Sequence, residues 1–217
     1  MKAFYILLFI VLLAMFIIVL TSYICFRMAF YVPKRKPKNT EEFDLPRGKI
    51  YEPYHDKMIA WTKEVRTFPH EKFCITSFDG LKLYGKYYEY TSDAPIELMF
   101  HGYRGNAEGD LIGAVQRCFS LGRSVLIVDQ RTSGSSEGNV ISFGINESRD
   151  CLAWVNFLVE HFGNDVKIIL KQSSNYFIKN FMAFLIQKDC SSTSLYDHIP
   201  ANGNKCIMKR HQNIYTR

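Results

Sequence analysis

Hydrophobic positions in this chain begin with a run that has no polar period. Residues 4–26, FYILLFIVLLAMFIIVLTSYICF, carry no charged side chain. A helix of that length spans roughly 34 Å, against a hydrocarbon core of about 30 Å, so the run predicts a membrane-crossing helix. A cleaved signal peptide has a shorter apolar stretch of about 7–15 residues and a small-residue cleavage site. Here the run is followed by Arg27, Met28, Ala29, Phe30 and Tyr31, which favours a permanent anchor. Residues 33–48 are rich in Pro, Lys and Glu and read as a linker. Over 50–68, Tyr51, Tyr54, Met58, Ile59 and Trp61 stand near helical spacing and predict a short helix.

From residue 70 the pattern becomes that of a folded domain. Residues 72–78 alternate weakly, Asp79-Gly80 is a turn signal, and 81–88 alternate with period two, which predicts a hairpin. Three short apolar runs follow, at 96–100, 124–129 and 166–170. Between them lie two amphipathic segments. Residues 110–121 place Leu111, Ala114, Val115, Cys118 and Phe119 on one face and stop at Gly122. Residues 147–162 carry the stripe Cys151, Val155, Leu158 and Phe162 and stop at Gly163. Strands apolar on both faces, alternating with helices, predict an α/β fold whose mostly parallel sheet is covered on both sides. The hairpin adds antiparallel strands to it.

Charge and composition divide the chain further. Residues 171–217 hold seven Lys/Arg against Asp189 and Asp197, five of the six net positive charges in the 217-residue chain. Their only glycine is Gly203. One apolar cluster, residues 176–186, could form a short helix, and 188–217 have no period and read as mostly disordered. The expected organisation is an anchor (1–32), a linker and short helix (33–69), an α/β domain (70–170) and an atypical basic tail (171–217). The charges flanking the anchor, Lys2 before it and Arg27, Lys34, Arg35, Lys36 and Lys38 after it, predict a single-pass protein with its domain on the cytoplasmic side. The same charges favour contact with the lipid bilayer. The cysteines, at 25, 74, 118, 151, 190 and 206, form no C-x-x-C pair and no zinc spacing, and read as thiols of a reducing compartment. His161, near a predicted helix end, reads as a partner of the helix dipole. No metal or cofactor is expected. After Tyr196 the tail has no aromatic but Tyr215 to interleave with its basic residues, so no nucleic-acid partner is expected.

Two loops carry the candidate chemistry. His101-Gly102-Tyr103-Arg104-Gly105 follows the run at 96–100 directly. A glycine-rich turn there brings backbone N–H groups close to a developing negative charge, and Tyr103 N–H is the natural donor. Asp129-Gln130-Arg131-Thr132-Ser133-Gly134-Ser135-Ser136-Glu137-Gly138 follows the run at 124–129. Together these segments resemble the α/β-hydrolase superfamily, in particular its bacterial esterase and lysophospholipase-like branch. That family has H-G after its third strand and D-x-R-G/A-x-G-x-S-x-G after its fourth, which Asp129, Arg131, Gly134, Ser136 and Gly138 match. Ser133 stands where many relatives have histidine. The resemblance covers about residues 70–170. It implies a serine ester hydrolase, acting through an acyl-enzyme on esters, with lipid or lysophospholipid esters fitting the tether. It also implies that His101, Gly102, Tyr103 and Arg104 shape the oxyanion hole, and that the Asp129–Gly138 motif is structural.

The same resemblance predicts a nucleophile elbow, G-x-S-x-G, after the run at 166–170. The chain reads Lys171-Gln172-Ser173-Ser174-Asn175 there. Ser173 is the weak candidate, flanked by Lys171 and Asn175 where glycines belong. Asp189 or Asp197 could be offered as the acid and His198 or His211 as the base, but these read better as solvated tail residues. The expectation is a truncated, inactive hydrolase, its reading frame lost after codon 170. The alternative is a non-catalytic, membrane-tethered interaction protein with a genuine replacement tail. Downstream DNA that spells the elbow in another frame would favour the first. An unpaired outer edge on the strand at 166–170 would promote self-association.

Overall fold

Residues 1–33, 43, 45 and 48–172 are described by the computed structural model, together with the backbone of 206–208. The apolar run forms α1 (Lys2–Ala29), a 28-residue helix with no buried residue. It is long and apolar enough to cross a membrane. A single 3₁₀ turn, Glu52–Tyr54, leads into α2 (His55–Arg66), which buries Val65. The linker expected at 33–48 and the tail residues 173–205 and 209–217 lie largely outside the described residues, and with them Ser173, Asp189, Asp197, His198, His211 and the cluster at 176–186.

The domain alternates strands and helices as its pattern predicts: β1 (Glu71–Thr76), β2 (Lys82–Tyr88), β3 (Ile96–Phe100), α3 (Ala107–Ser120), β4 (Ser124–Val128), α4 (Ile145–Phe162) and β5 (Ile168–Gln172). A last strand, β6 (Cys206–Met208), completes a six-stranded sheet of order β1-β2-β4-β3-β5-β6. β3 pairs parallel with β4 and with β5. The pairs β1/β2, β2/β4 and β5/β6 are antiparallel.

Why β3 and β4 are mostly apolar on both faces is now plain. Leu98, Phe100, Leu126 and Val128 pack toward one cluster with Trp154 and Leu158 of α4. Met99, Val125 and Ile127 pack toward another with Leu111, Val115 and Cys118 of α3 and Val65 of α2. Fully burying each such side chain contributes about 1.5–3 kcal/mol, and a strand covered on both faces has no position left for solvent-facing polarity. Cys118 and Cys151 are buried thiols, as the pattern indicates. Burial, reinforced by the Glu97 carboxylate, pushes the Cys118 thiol up to about 12.

Three boundaries differ from expectation. α3 starts at Ala107, because the Asn106 side chain accepts a hydrogen bond from Gly109 N–H at 2.7 Å and caps the helix. α4 starts at Ile145, where the Glu147 carboxylate accepts from Gly144 N–H at 2.8 Å and from Ser142 N–H at 2.8 Å. β5 begins at Ile168 and reaches Gln172, two residues into the segment assigned to the tail.

The open edge expected on the third apolar strand is a correction. β6 pairs with it through Ile168↔Met208, Ile169↔Ile207 and Leu170↔Cys206. Three residues are too few to show a period, so this strand was hidden in a segment that reads as disordered. Its backbone pairs with residues 168–170 of β5, so that stretch is not an open edge.

Candidate active-site cleft

The sheet topology places a crevice at the carboxyl end of β3. From β3 the chain crosses through α3 to β4 on one side, and from β4 through α4 to β5 on the other. Open α/β sheets bind ligands where neighbouring connections diverge in this way. The registers Phe100↔Val128 and Phe100↔Gln172 bring the ends of β3, β4 and β5 level. A cleft of about 60 Å³ opens there, lined among others by His101, Tyr103, Gln130, Thr132, Phe143 and Gln172.

Its first wall is the loop after β3. Gly105 N–H donates to Gly102 O at 3.1 Å, closing a tight turn over Tyr103 and Arg104. Gly102 N–H donates to Asp110 Oδ2 at 3.0 Å. A Cβ on Gly105 would come within 2.0 Å of that same carboxylate oxygen, so glycine is required by the close approach of α3. Tyr103 N–H donates to no acceptor among the described residues, as an oxyanion donor requires.

His101 locks this loop to the next. Its Nδ1 lies 2.8 Å from Gly102 O, its Nε2 accepts from Gln130 N–H at 3.1 Å, and Gln130 Nε2 donates to His101 O at 2.6 Å. Both ring nitrogens are therefore engaged in one neutral tautomer: Nδ1–H donates and Nε2 accepts. Burial lowers the His101 pKa against the opposing effects of Gly102 O, Asp129 and Asp110. With 2% exposure, it is a fastener between β3 and β4 and has no free nitrogen to act as a base.

The second wall is the Asp129–Gly138 loop, and each motif residue has a visible task. Asp129 Oδ1 accepts from Ala107 N–H at the start of α3, and its Oδ2 accepts from Ser135 N–H, both at 3.0 Å. Gly134, at φ +52°, passes so close to this carboxylate that a Cβ would overlap it. Ser136 Oγ accepts from Tyr84 N–H at 2.9 Å and donates to Asp129 O at 2.6 Å. Gly138 adopts φ +105°, a conformation that side chains rarely tolerate. Ser133 donates to Gly105 O at 2.9 Å, joining the two walls. Arg131 is 4% exposed and holds Asp150 of α4 in a fork, Nε–Oδ2 2.7 Å and Nη2–Oδ1 2.8 Å, with Asp79 of the hairpin turn at 3.0 Å. Burial works against its charge, but the bonds to Asp150 and Asp79 outweigh that and raise its pKa further.

Strain concentrates at the cleft. Arg104 (φ +57°), Thr132 (φ +74°) and Phe143 (φ +49°) are the non-glycine residues with left-handed backbone among those described, and all three line it. Such conformations cost on the order of 1–3 kcal/mol each and collect at binding sites. Thr132 Oγ1 and Gln172 Oε1, also in the lining, are buried with no hydrogen-bond partner among the described residues. They are acceptors left for a bound molecule or water. No three His, Cys, Asp or Glu side chains gather as a metal site among the described residues.

The structure thus brings together His101, Gly102, Tyr103 and Arg104 with Arg131 and the Asp129–Gly138 motif. Ser173 follows Gln172 at the cleft and lies outside the described residues. Sequence reasoning missed Asp110, Gln130, Thr132, Phe143 and Asp150. The last had a signal: an acid bordering the apolar stripe of a helix needs a buried cation. It also missed that the Tyr103 and Arg104 side chains reach from the cleft to the end of α1. Tyr103 Oη donates to Ala29 O at 2.6 Å, and Arg104 Nη2 donates to Met28 O at 2.5 Å.

No family model matches the chain. Among solved structures it is similar to an esterase of Pyrococcus furiosus, at 24% identity over 51% of this chain and 44% of that one, with a TM-score of 0.45. It is similar also to a hyperthermophilic esterase of the archaeon Pyrobaculum calidifontis, at 15% identity over 65% of this chain and 47% of that one, TM-score 0.42. An α/β hydrolase from Vibrio vulnificus matches at 15% identity over 66% of this chain and 52% of its own, TM-score 0.39. The likeness is to part of the α/β-hydrolase fold. The chain spans less than half the length of either esterase.

Proposed function

We propose that this chain carries the oxyanion-binding half of a serine ester hydrolase, tethered to a membrane by α1 with the domain on the cytoplasmic side, and that the chain alone does not hydrolyse esters. The supporting observation is what β5 delivers to the cleft. An elbow of form G-x-S-x-G needs small residues on both sides of a sharply bent serine. In this chain the first of those positions is Lys171, still paired in β5 opposite Met99, with its Nζ 3.9 Å from Glu97 Oε1. The cradle of Tyr103 N–H can hold a negative oxygen, but no attacking hydroxyl is provided for. In a complete relative the substrates would be lipid or lysophospholipid esters, which partition to the tether's membrane.

A second reading is a non-catalytic, membrane-tethered interaction protein. It is favoured by the use of Tyr103 and Arg104 side chains as structural contacts to α1. The test is hydrolysis of p-nitrophenyl butyrate by the purified full chain in detergent. The expected rate equals the protein-free blank and is unchanged in Ser173→Ala. Turnover that disappears in Ser173→Ala overturns the inactive reading.

A further inference from the structure

The last carbonyls of a helix lack intrahelical partners. At the end of α1 they are taken by the rim of the cleft. Tyr103 Oη donates to Ala29 O, and Arg104 Nη2 donates to Met28 O and, at 3.3 Å, to Tyr31 O. The chain then crosses the second rim. Ile141 N–H donates to Phe30 O and Val32 N–H to Asn139 O, both at 2.8 Å, around a bridge between Tyr31 and Val140. The Phe30 ring meets Phe143 edge-on at 5.1 Å, and Phe143 stacks on Tyr103 at 5.2 Å. Val32 is buried. No free linker separates α1 from the cleft.

This fixes where the cleft stands relative to a bilayer. A 28-residue helix is about 42 Å long, roughly 12 Å more than the hydrocarbon core, so its ends emerge into the headgroup layer. The uncharged run ends at Phe26, and Arg27 lies over the Tyr31 ring at 3.8 Å, a pairing suited to that layer. Tyr103 and Phe143 touch residues 29 and 30 directly. The same rim leaves Tyr103 51%, Phe143 44% and Ile145 69% exposed, a patch of large apolar and amphipathic side chains continuous with α1.

We infer that the cleft rim formed by Tyr103, Phe143 and Ile145 lies in the headgroup layer of the bilayer that α1 spans, so that the cleft opens to the membrane surface and takes its ligands from there. This rests on the reading of α1 as a membrane span. The occupant of the apolar rim is the lipid bilayer itself.

The test uses nitroxide labels on single introduced cysteines in the full chain, its native cysteines at 25, 74, 118, 151, 190 and 206 replaced by alanine, reconstituted in dioleoylphosphatidylcholine vesicles. The exposed positions Ile10, Ile145 and Ser92 are used because labelling them disturbs no packing. Ser92 precedes β3, at the end of the sheet opposite the cleft. Collisions with oxygen, which enriches in lipid, are compared with those of a water-soluble nickel chelate. The Ile145→Cys label is expected to show an oxygen-to-nickel ratio several-fold above the Ser92→Cys label, with the Ile10→Cys label higher still. A lipid-immersed Ile10 label with Ile145 as wet as Ser92 overturns this inference and leaves the anchor standing. A wet Ile10 label overturns the anchor, and this inference with it.

Discussion

At the scale of single residues, the two loops show how a site can be built almost entirely from fasteners. Asp129, Ser136 and His101 each satisfy groups from different elements, and Arg131 joins three: the loop, α4 and the hairpin turn. Arg131 offers the sharpest test. Its removal leaves Asp150, with a side chain 6% exposed, as an unpaired buried carboxylate. Removing one partner of a buried pair costs about 3–5 kcal/mol. Arg131→Met is therefore expected to destabilise the domain by about that amount in urea unfolding. Arg131→Lys keeps the charge but not the fork, and should lose less. Equal losses in the two variants would mean that the charge contributes nothing once the fork is gone.

Residue types in the motifs were legible for a physical reason. Gly105 and Gly134 leave no room for a Cβ beside Asp110 and Asp129, so the glycines report backbone contacts that exist whether or not a reaction follows. Thr132 and Phe143 were not legible. Their left-handed backbones are imposed by the loop's closure, against their own preferences.

At the scale of elements, the buried strands and amphipathic helices could be read directly because their pattern is set by which faces they cover. Leu98 and Met99 go to opposite clusters, and both must be apolar. Short elements escaped. β6 is three residues long, and the segment 30–32 joins its neighbours through backbone groups that any sequence possesses.

Glu97 is the exception inside an apolar strand. It is fully buried in β3 and paired with Arg117 of α3 at 2.5 Å and Arg123, just before β4, at 3.0 Å. Burial raises its pKa, but the hydrogen bonds from Arg117 and Arg123 outweigh this and hold the carboxyl below its ordinary range. A group with a depressed folded pKa adds stability above its unfolded value, about 4.3 for Glu, and that stability is lost as pH falls through the folded value. Thermal melts followed by circular dichroism should therefore fall as pH is lowered from about 5 to about 3. In Glu97→Gln the melting point should start lower at neutral pH and fall less steeply. Parallel pH curves for the two proteins would show that this carboxylate does not couple β3 to α3.

At the scale of the whole molecule, three layers and the apolar helix α1 converge on one place. The sheet ends level at the cleft, the helices on its two faces begin there, and the last turn of α1 is capped by its rim. In the proposed function these contacts preorganise the oxyanion side of the cleft, and β5 arrives with Lys171 where a nucleophile elbow needs a small residue. In the proposed function the cradle exists without an attacking hydroxyl. A fluorophosphonate probe, which bonds covalently to activated serines, tests it most directly on the purified full chain, read by intact mass. No mass increase is expected at saturating probe. A single stoichiometric adduct mapped to Ser173 would contradict it.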